Sequence, residues 1–152
     1  YQQIEALKKN TQAIFIGVAS GVVTSLVSVI AFAILVNLDR TILISIIPKS
    51  ITTAIALGLS SELGGIPSIT LLAVLVSGMT GNIIAQSVCK LFKINNPVAV
   101  GLAIGTSSHA IGTTRAFEMG QVEGAMSSLS IVIAGLMTVG LAPIFVSILQ
   151  II

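Results

Sequence analysis

A cation-capable side chain just ahead of a Thr-Thr pair occurs twice in this chain. The first occurrence is Pro48-Lys49-Ser50-Ile51-Thr52-Thr53. The second is Gly105-Thr106-Ser107-Ser108-His109-Ala110-Ile111-Gly112-Thr113-Thr114-Arg115, which holds the only His and one of the two Arg. Hydroxyls grouped with a Lys or a His suit the hydrogen bonding and neutralisation of a small anion, a carboxylate above all. Ser107 and Ser108 are placed to cap a helix that starts after the second set, and Ser50 one that starts after the first. Such a helix turns free N–H groups and about half a positive charge toward its starting point, which makes a ready anion site. The candidate binding residues are therefore Lys49, Ser50, Thr52, Thr53, Thr106, Ser107, Ser108, His109, Thr113, Thr114 and Arg115.

Each of these has a structural role to weigh beside binding. Ser107, Ser108, Thr113 and Thr114 can satisfy their own helix backbone. His109 can be a structural donor, although a titratable side chain is costly to keep in a membrane. Lys49 can snorkel to an interface. Arg115 and Glu118, three apart on one helix face, make a natural ion pair. Glu62 and Glu123 fall in turns, where an interfacial role competes with ligation of a coupling ion. Enzymatic chemistry is poorly served. Ser108 and His109 are adjacent and do not supply the oriented nucleophile, base and acid of a triad. One His and one Cys do not make a typical structural zinc site, and no phosphate-loop or dinucleotide motif is present. No resident cofactor is expected, and a coupling H+ or Na+ is compatible with the pattern.

The elements that must position these residues follow from composition. Of 152 residues 55% are hydrophobic and 8% charged, against roughly 25% charged in soluble domains. Mean hydropathy is +1.10. So few charges cannot coat a water-facing globule, and the class is an all-α integral membrane protein. A net charge of +2, scattered along the chain, excludes a nucleic-acid surface. The lone Cys89 excludes an internal disulfide. The chain opens on Tyr1 and polar residues through Gln12, which reads as a short connector in the C-terminal part of a longer protein.

About 20 apolar residues cross a bilayer. Three segments satisfy this: Asn10 to Leu38, Ile69 to Val88, and Ala125 to Leu149, the last with Pro143 as a candidate kink. Asp39-Arg40 reads as the interfacial end of the first. Gly17 and Gly21 form a small-xxx-small pair that lets another helix come close. Between the spans lie shorter pieces. Thr41 to Ile47 stops at Pro48, which lacks a donor and disfavours helix before it, and a short helix is predicted from about Ser50 to Leu59. Val98 to Ile104 is followed by a break over Gly105 to His109 and a helix over Ala110 to Met119. Turns are marked at residues 60–68, 95–97 and 120–124 by Gly, Pro and Asn.

The pieces repeat. Thr52-Thr53 and Thr113-Thr114 are 61 residues apart, and so are Glu62 and Glu123. The expected organisation is one membrane domain over 1–152, with repeat copies at about 10–68 and 69–128 and a final span at about 125–150. If both broken pieces cross, Lys8 and Lys9 oppose Lys90, Lys93 and Arg40. If both are re-entrant, the four Lys share a face and only Arg40 opposes them, which fits the positive-inside rule better. The preferred architecture is thus a polytopic helical bundle of two inverted repeats, each with a broken or re-entrant helix pair. Irregular backbone at membrane depth is tolerated only where protein or water satisfies it, so paired breaks imply a polar cavity between them.

The residues of both breaks, with Gly64-Gly65-Ile66-Pro67-Ser68 and Gly124-Ala125-Met126-Ser127-Ser128-Leu129, resemble the LrgB/CidB family of bacterial membrane proteins over nearly the whole chain. The family pattern has Pro after the first Thr-Thr, where this chain has Ala54. The resemblance implies a multi-pass protein of the bacterial cytoplasmic (inner) membrane, working beside a small holin-like partner of the LrgA/CidA type. It also implies one of two roles. One is antiholin-like regulation of murein hydrolase export and autolysis, exerted through assembly and envelope permeability. The other is carriage of small monocarboxylates such as pyruvate, glycolate or glycerate. The expected partners are membrane lipid, a small organic anion, the holin-type protein and further copies of the chain as a homo-oligomer.

Overall fold

A computed structural model describes the backbone of residues 2–148 and the side chains of 11–148. Tyr1 and residues 149–152, where the predicted first connector and last span have their outer ends, lie outside the described residues. The described part has six helices: α1 (Gln2–Leu35), α2 (Arg40–Ile46), α3 (Thr53–Glu62), α4 (Pro67–Leu91), α5 (Pro97–Met119) and α6 (Gln121–Ile148). Three are long and apolar enough to cross a membrane, over Thr11–Leu35, Pro67–Leu91 and Gln121–Ile148. They match the three spans expected from hydropathy. Their outward sides carry large apolar residues, with Ile83 73% and Leu136 72% exposed, as lipid contact requires and water would not favour.

Helix α1 begins nine residues before the apolar span that starts at Thr11, so the expected connector before Gln12 is helical from Gln2. Gln, Glu, Ala, Leu and Lys are all good helix formers. Their polarity sets where hydrocarbon begins, not where the helix begins. The other end of α1 also differs from the reading of Asp39-Arg40 as its terminus. Asn37 takes a left-handed conformation (φ 52°), and the Leu38 N–H bonds back to the Ala33 carbonyl at 2.9 Å. This closes the helix in a Schellman-type turn. Asp39 instead caps α2, its Oδ1 accepting from the Thr41 N–H at 2.7 Å. The same closure ends α3 at Gly64 (φ 86°) and α4 at Lys93 (φ 54°), with Gly65 N–H to Ser60 O and Ile94 N–H to Cys89 O at 2.7 and 2.8 Å.

One face of α1 is buried along its length. Ile14, Val18, Val22, Leu26, Val29 and Ala33 recur every three or four residues, the helical period. They form a core with Ile47 and Ile51 of the first break and Ala134, Ala142 and Val146 of α6. Lipid is as apolar as these side chains, so close packing rather than escape from solvent holds them. Gly17 and Gly21 do admit a neighbour. A Cβ on Gly17 would lie 3.6 Å from Leu102 Cδ1, and one on Gly21 only 2.7 Å from Thr106 Cγ2, both on α5.

The first break runs from Ile47 to Thr52, and α3 starts three residues later than predicted. The Lys49 N–H bonds to Ile46 O at 3.1 Å and Ile51 N–H to Pro48 O at 3.4 Å. These tight turns around Pro48 must finish before a helix can start. Ser50 is therefore not the cap of α3. Thr52 holds that position and makes no side-chain capping bond. Ser45 Oγ donates to the Thr41 carbonyl at 2.6 Å and accepts from the Ile66 N–H at 2.7 Å. Thr70 Oγ1 donates to Ser60 Oγ at 2.6 Å. These bonds fasten both short helices to the start of α4.

The second break is far narrower than the predicted Gly105 to His109. Helical backbone continues through Ser108, and the departure is His109 alone, at φ 42° and ψ −141°. Ser107 and Ser108 thus end the first half of α5 and do not cap the second. The chain turns back at His109. A Cβ on Gly112 would lie 2.5 Å from Ser108 Cβ and 3.1 Å from Ile104 Cγ2, although residues eight apart on a straight helix are about 12 Å apart along its axis. The partners along α4 show the reversal. Ser107 meets Ser77 and His109 meets Val74, then Ile111 and Thr114 meet Asn82, and Arg115 meets Gln86. From the near end, Val100 and Ile104 pack with Ala85, Cys89 and Ala116 in one buried cluster. Both halves of α5 therefore run along the same stretch of α4.

Candidate functional site

The two breaks approach one another across α1. From the first, Ile47 and Ile51 are buried and anchor the turn, leaving Lys49 and Ser50 between them. Ser50 Oγ is 3.1 Å from Ser25 Oγ on α1 and accepts from Lys49 Nζ at 3.1 Å. From the second, Thr106 lies directly over Gly21, one helical turn before Ser25.

Two cavities flank this meeting point. One, of about 610 Å³, is apolar and is walled by Phe32, Val76, Ile84 and Val88 among others. The second, of about 680 Å³, is richer in hydroxyls, with Ser20, Thr24, Ser25, Ser50 and Thr106 in its wall. Ser28, Lys49, Ala103 and Ser107 belong to both walls, and Lys49 is the charged side chain in each. A small recess of about 10 Å³ lies between Ser25, Ser50, Thr106 and Thr138. Among the described residues, Thr106 Oγ1 is one of two buried polar side-chain atoms with no hydrogen-bond partner; the other is Arg115 Nε.

Of the residues singled out in the sequence, Lys49, Ser50, Thr106, Ser107 and Ser108 line these cavities. His109 lines neither of the two large ones. The residue is 2% exposed, and its Nε2 lies 3.0 Å from the Val74 carbonyl. A carbonyl only accepts, so Nε2 carries the proton. Thr113 Oγ1 is buried, 2.9 Å from the His109 carbonyl and 2.7 Å from Ser127 Oγ on α6. Thr114 Oγ1 donates to Ile111 O and accepts from Asn82 Nδ2, both at 2.8 Å. Arg115 pairs with Glu118 and also donates to Gln86 Oε1. Thr52 and Thr53 are half-buried at the start of α3 and line neither large cavity. The structure thus gathers the first five, spreads His109, Thr113, Thr114 and Arg115 along the seams of α5, and leaves Thr52 and Thr53 apart at the start of α3.

Other residues of the region were passed over in the sequence. Ser25 and Ser28 come from α1. Gly78, Gly81 and Asn82 come from the middle of α4, where a Cβ on Gly81 would overlap Ser108 Oγ and one on Gly78 would lie 2.6 Å from His109 Cε1. The run Gly78-Met79-Thr80-Gly81-Asn82 was the available signal: two glycines and an amide at the centre of an apolar span.

No solved structure matches the chain. The family model described as the LrgB-like family matches residues 1–148. With its three apolar span-length helices, the chain is a multi-pass membrane protein that belongs to the LrgB-like family.

Proposed function

We propose that the protein carries a small monocarboxylate, of the pyruvate or glycolate type, across the bacterial cytoplasmic membrane. The observation that carries this reading is Lys49, which stands in the wall common to the two cavities with Ser107 of the other break beside them. A fixed cation flanked by hydroxyls inside an apolar wall binds a carboxylate in preference to cations or neutral solutes. Both breaks act as re-entrant tips that meet near the membrane midplane. The turn-back at His109 supports this. An inverted repeat is supported by matching contacts: Ser45 against Ile66 and Gly105 against Ser127, each pair offset by about 61 residues from the other. Access then alternates by movement of one repeat against the other, with H+ or Na+ as the coupling ion. A holin-type partner and a homo-oligomer belong to the same reading, as does the link to autolysis through murein hydrolase export.

Uptake of labelled pyruvate or glycolate into proteoliposomes, by the full-length protein with its holin-type partner, tests the carrier. Saturable uptake that Lys49→Gln weakens roughly ten-fold or more supports it, as loss of a charge-assisted bond predicts. Uptake no higher than in empty vesicles, across pH, overturns it. Leakage of large solutes that ignores Lys49→Gln favours an assembly that regulates permeability instead.

A further inference from the structure

We infer that Ser25 on α1 and Thr106 on α5 are the two hydroxyl donors that grip one carboxylate beside Lys49; this deepens the carrier reading and rests on its choice of ligand. The argument is a proton count. An ammonium has donors only, so Ser50 Oγ, 3.1 Å from Lys49 Nζ, accepts from it. The single proton of Ser50 is then available to Ser25 Oγ, also at 3.1 Å. With Ser50 as the donor in that bond, Ser25 accepts, and its own proton is left to donate elsewhere. Thr106 supplies a second free proton. The residue is 6% exposed, and its Oγ1 is buried with no partner.

Both hydroxyls line the hydroxyl-rich cavity and the small recess beneath it. The recess, at about 10 Å³, has room for roughly one oxygen atom. A relay that starts on a cation and leaves a proton at Ser25, in the same recess as the unpartnered hydroxyl of Thr106, calls for a ligand group that only accepts. A carboxylate meets that demand with two oxygens, whereas an amide or ammonium brings donors of its own to the same place. Gly21 completes the arrangement, because a Cβ there would lie 2.7 Å from Thr106 Cγ2 and push the hydroxyl out of line.

Equilibrium binding of labelled pyruvate to the full-length protein in lipid nanodiscs tests this, with unlabelled acetate and acetamide as competitors. Ser25→Ala and Thr106→Val are each expected to weaken binding roughly ten-fold or more, the loss of one bond to a charged group. Thr106→Ser, which keeps the hydroxyl, is expected to stay within roughly three-fold. Acetate should compete and acetamide should not. Wild-type binding with both variants unchanged, or with acetamide competing as well as acetate, overturns the assignment while leaving the carrier intact. Binding that needs both hydroxyls, without uptake in proteoliposomes, overturns the carrier and supports the assignment. Absence of pyruvate binding by the wild type overturns both.

Discussion

The imidazole of His109 occupies the space that a side chain on Gly78 would need. A Cβ there would lie 2.6 Å from Cε1 and 2.9 Å from Nε2 of the ring. The tip of α5 is therefore seated in a notch cut into the middle of α4. Gly81, one turn on, receives Ser108 in the same way. Neither contact has a flexible side-chain end that can swing aside. Gly78→Ala and Gly81→Ala are each expected to lower stability by about 1–3 kcal/mol, read as a drop in melting temperature of the purified protein in detergent.

At His109 itself two effects oppose one another. Its backbone, at φ 42° and ψ −141°, lies close to a region that is essentially restricted to glycine and costs about 1–3 kcal/mol for other residues. Its side chain returns part of that through the bond to the Val74 carbonyl, worth about 1 kcal/mol net. His109→Gly removes the bond and the strain together, whereas His109→Ala removes only the bond. The glycine variant should melt higher than the alanine variant. The reverse order would show that the backbone at this position is not strained for a residue with a Cβ.

Thr113 and Ser127 join the second half of α5 to α6 through a buried hydroxyl pair at 2.7 Å. Thr113→Val keeps the shape and leaves the Ser127 hydroxyl, on a residue with no exposed surface, without that partner. A cost of about 1–3 kcal/mol follows. The double variant Thr113→Val, Ser127→Ala removes the orphan and should recover much of the loss. A double-mutant cycle on melting free energies checks the coupling.

Asp39 gives the fold a pH dependence outside the membrane-spanning helices. The Thr41 backbone N–H, bonded to its carboxylate, holds Asp39 below the ordinary value of 3.8. A depressed carboxylate contributes its stability above the unfolded value and loses it as pH falls through the folded one. Unfolding of the start of α2 is thus expected only below about pH 4, and Asp39→Ala should remove this acid transition. Hydrogen exchange at Thr41 across pH 2–5 provides the readout, with Asp39→Asn as the control that keeps a capping oxygen without the charge.

The three spans were legible because about 20 apolar residues have one common reading in a membrane protein. The two breaks were legible because Lys49 and His109 are costly to place there without a reason. Their extents were not. Ser107 and Gly105 look like helix breakers, yet Ser107 Oγ bonds back to the Ile104 carbonyl at 3.3 Å and Gly105 gives α6 room to approach at Ser127. Local composition registers the weak propensity of Ser and Gly but not the tertiary contact that overrides it. The Arg115–Glu118 pair was legible from its spacing of three, whereas only the packing of α5 reveals Ser127 as the partner of Thr113 and Gln86 as a second partner of Arg115. Ser25 carried no signal, because one Ser on an apolar helix becomes meaningful only when a second hydroxyl is brought against it.

The notch in α4 has a mechanical consequence. With Gly78 and Gly81 filled and Gly105 pressed on α6, the tip of α5 is clasped from two sides with no free play. It must travel with α4 and α6 as one block. The open space lies along α1, which packs closely on α5 at Gly21 and Thr106 and has the two large cavities beside that contact. In the carrier proposed above, movement of one repeat against the other would therefore pivot at the contact of Gly21 with Thr106 rather than at the tip of α5.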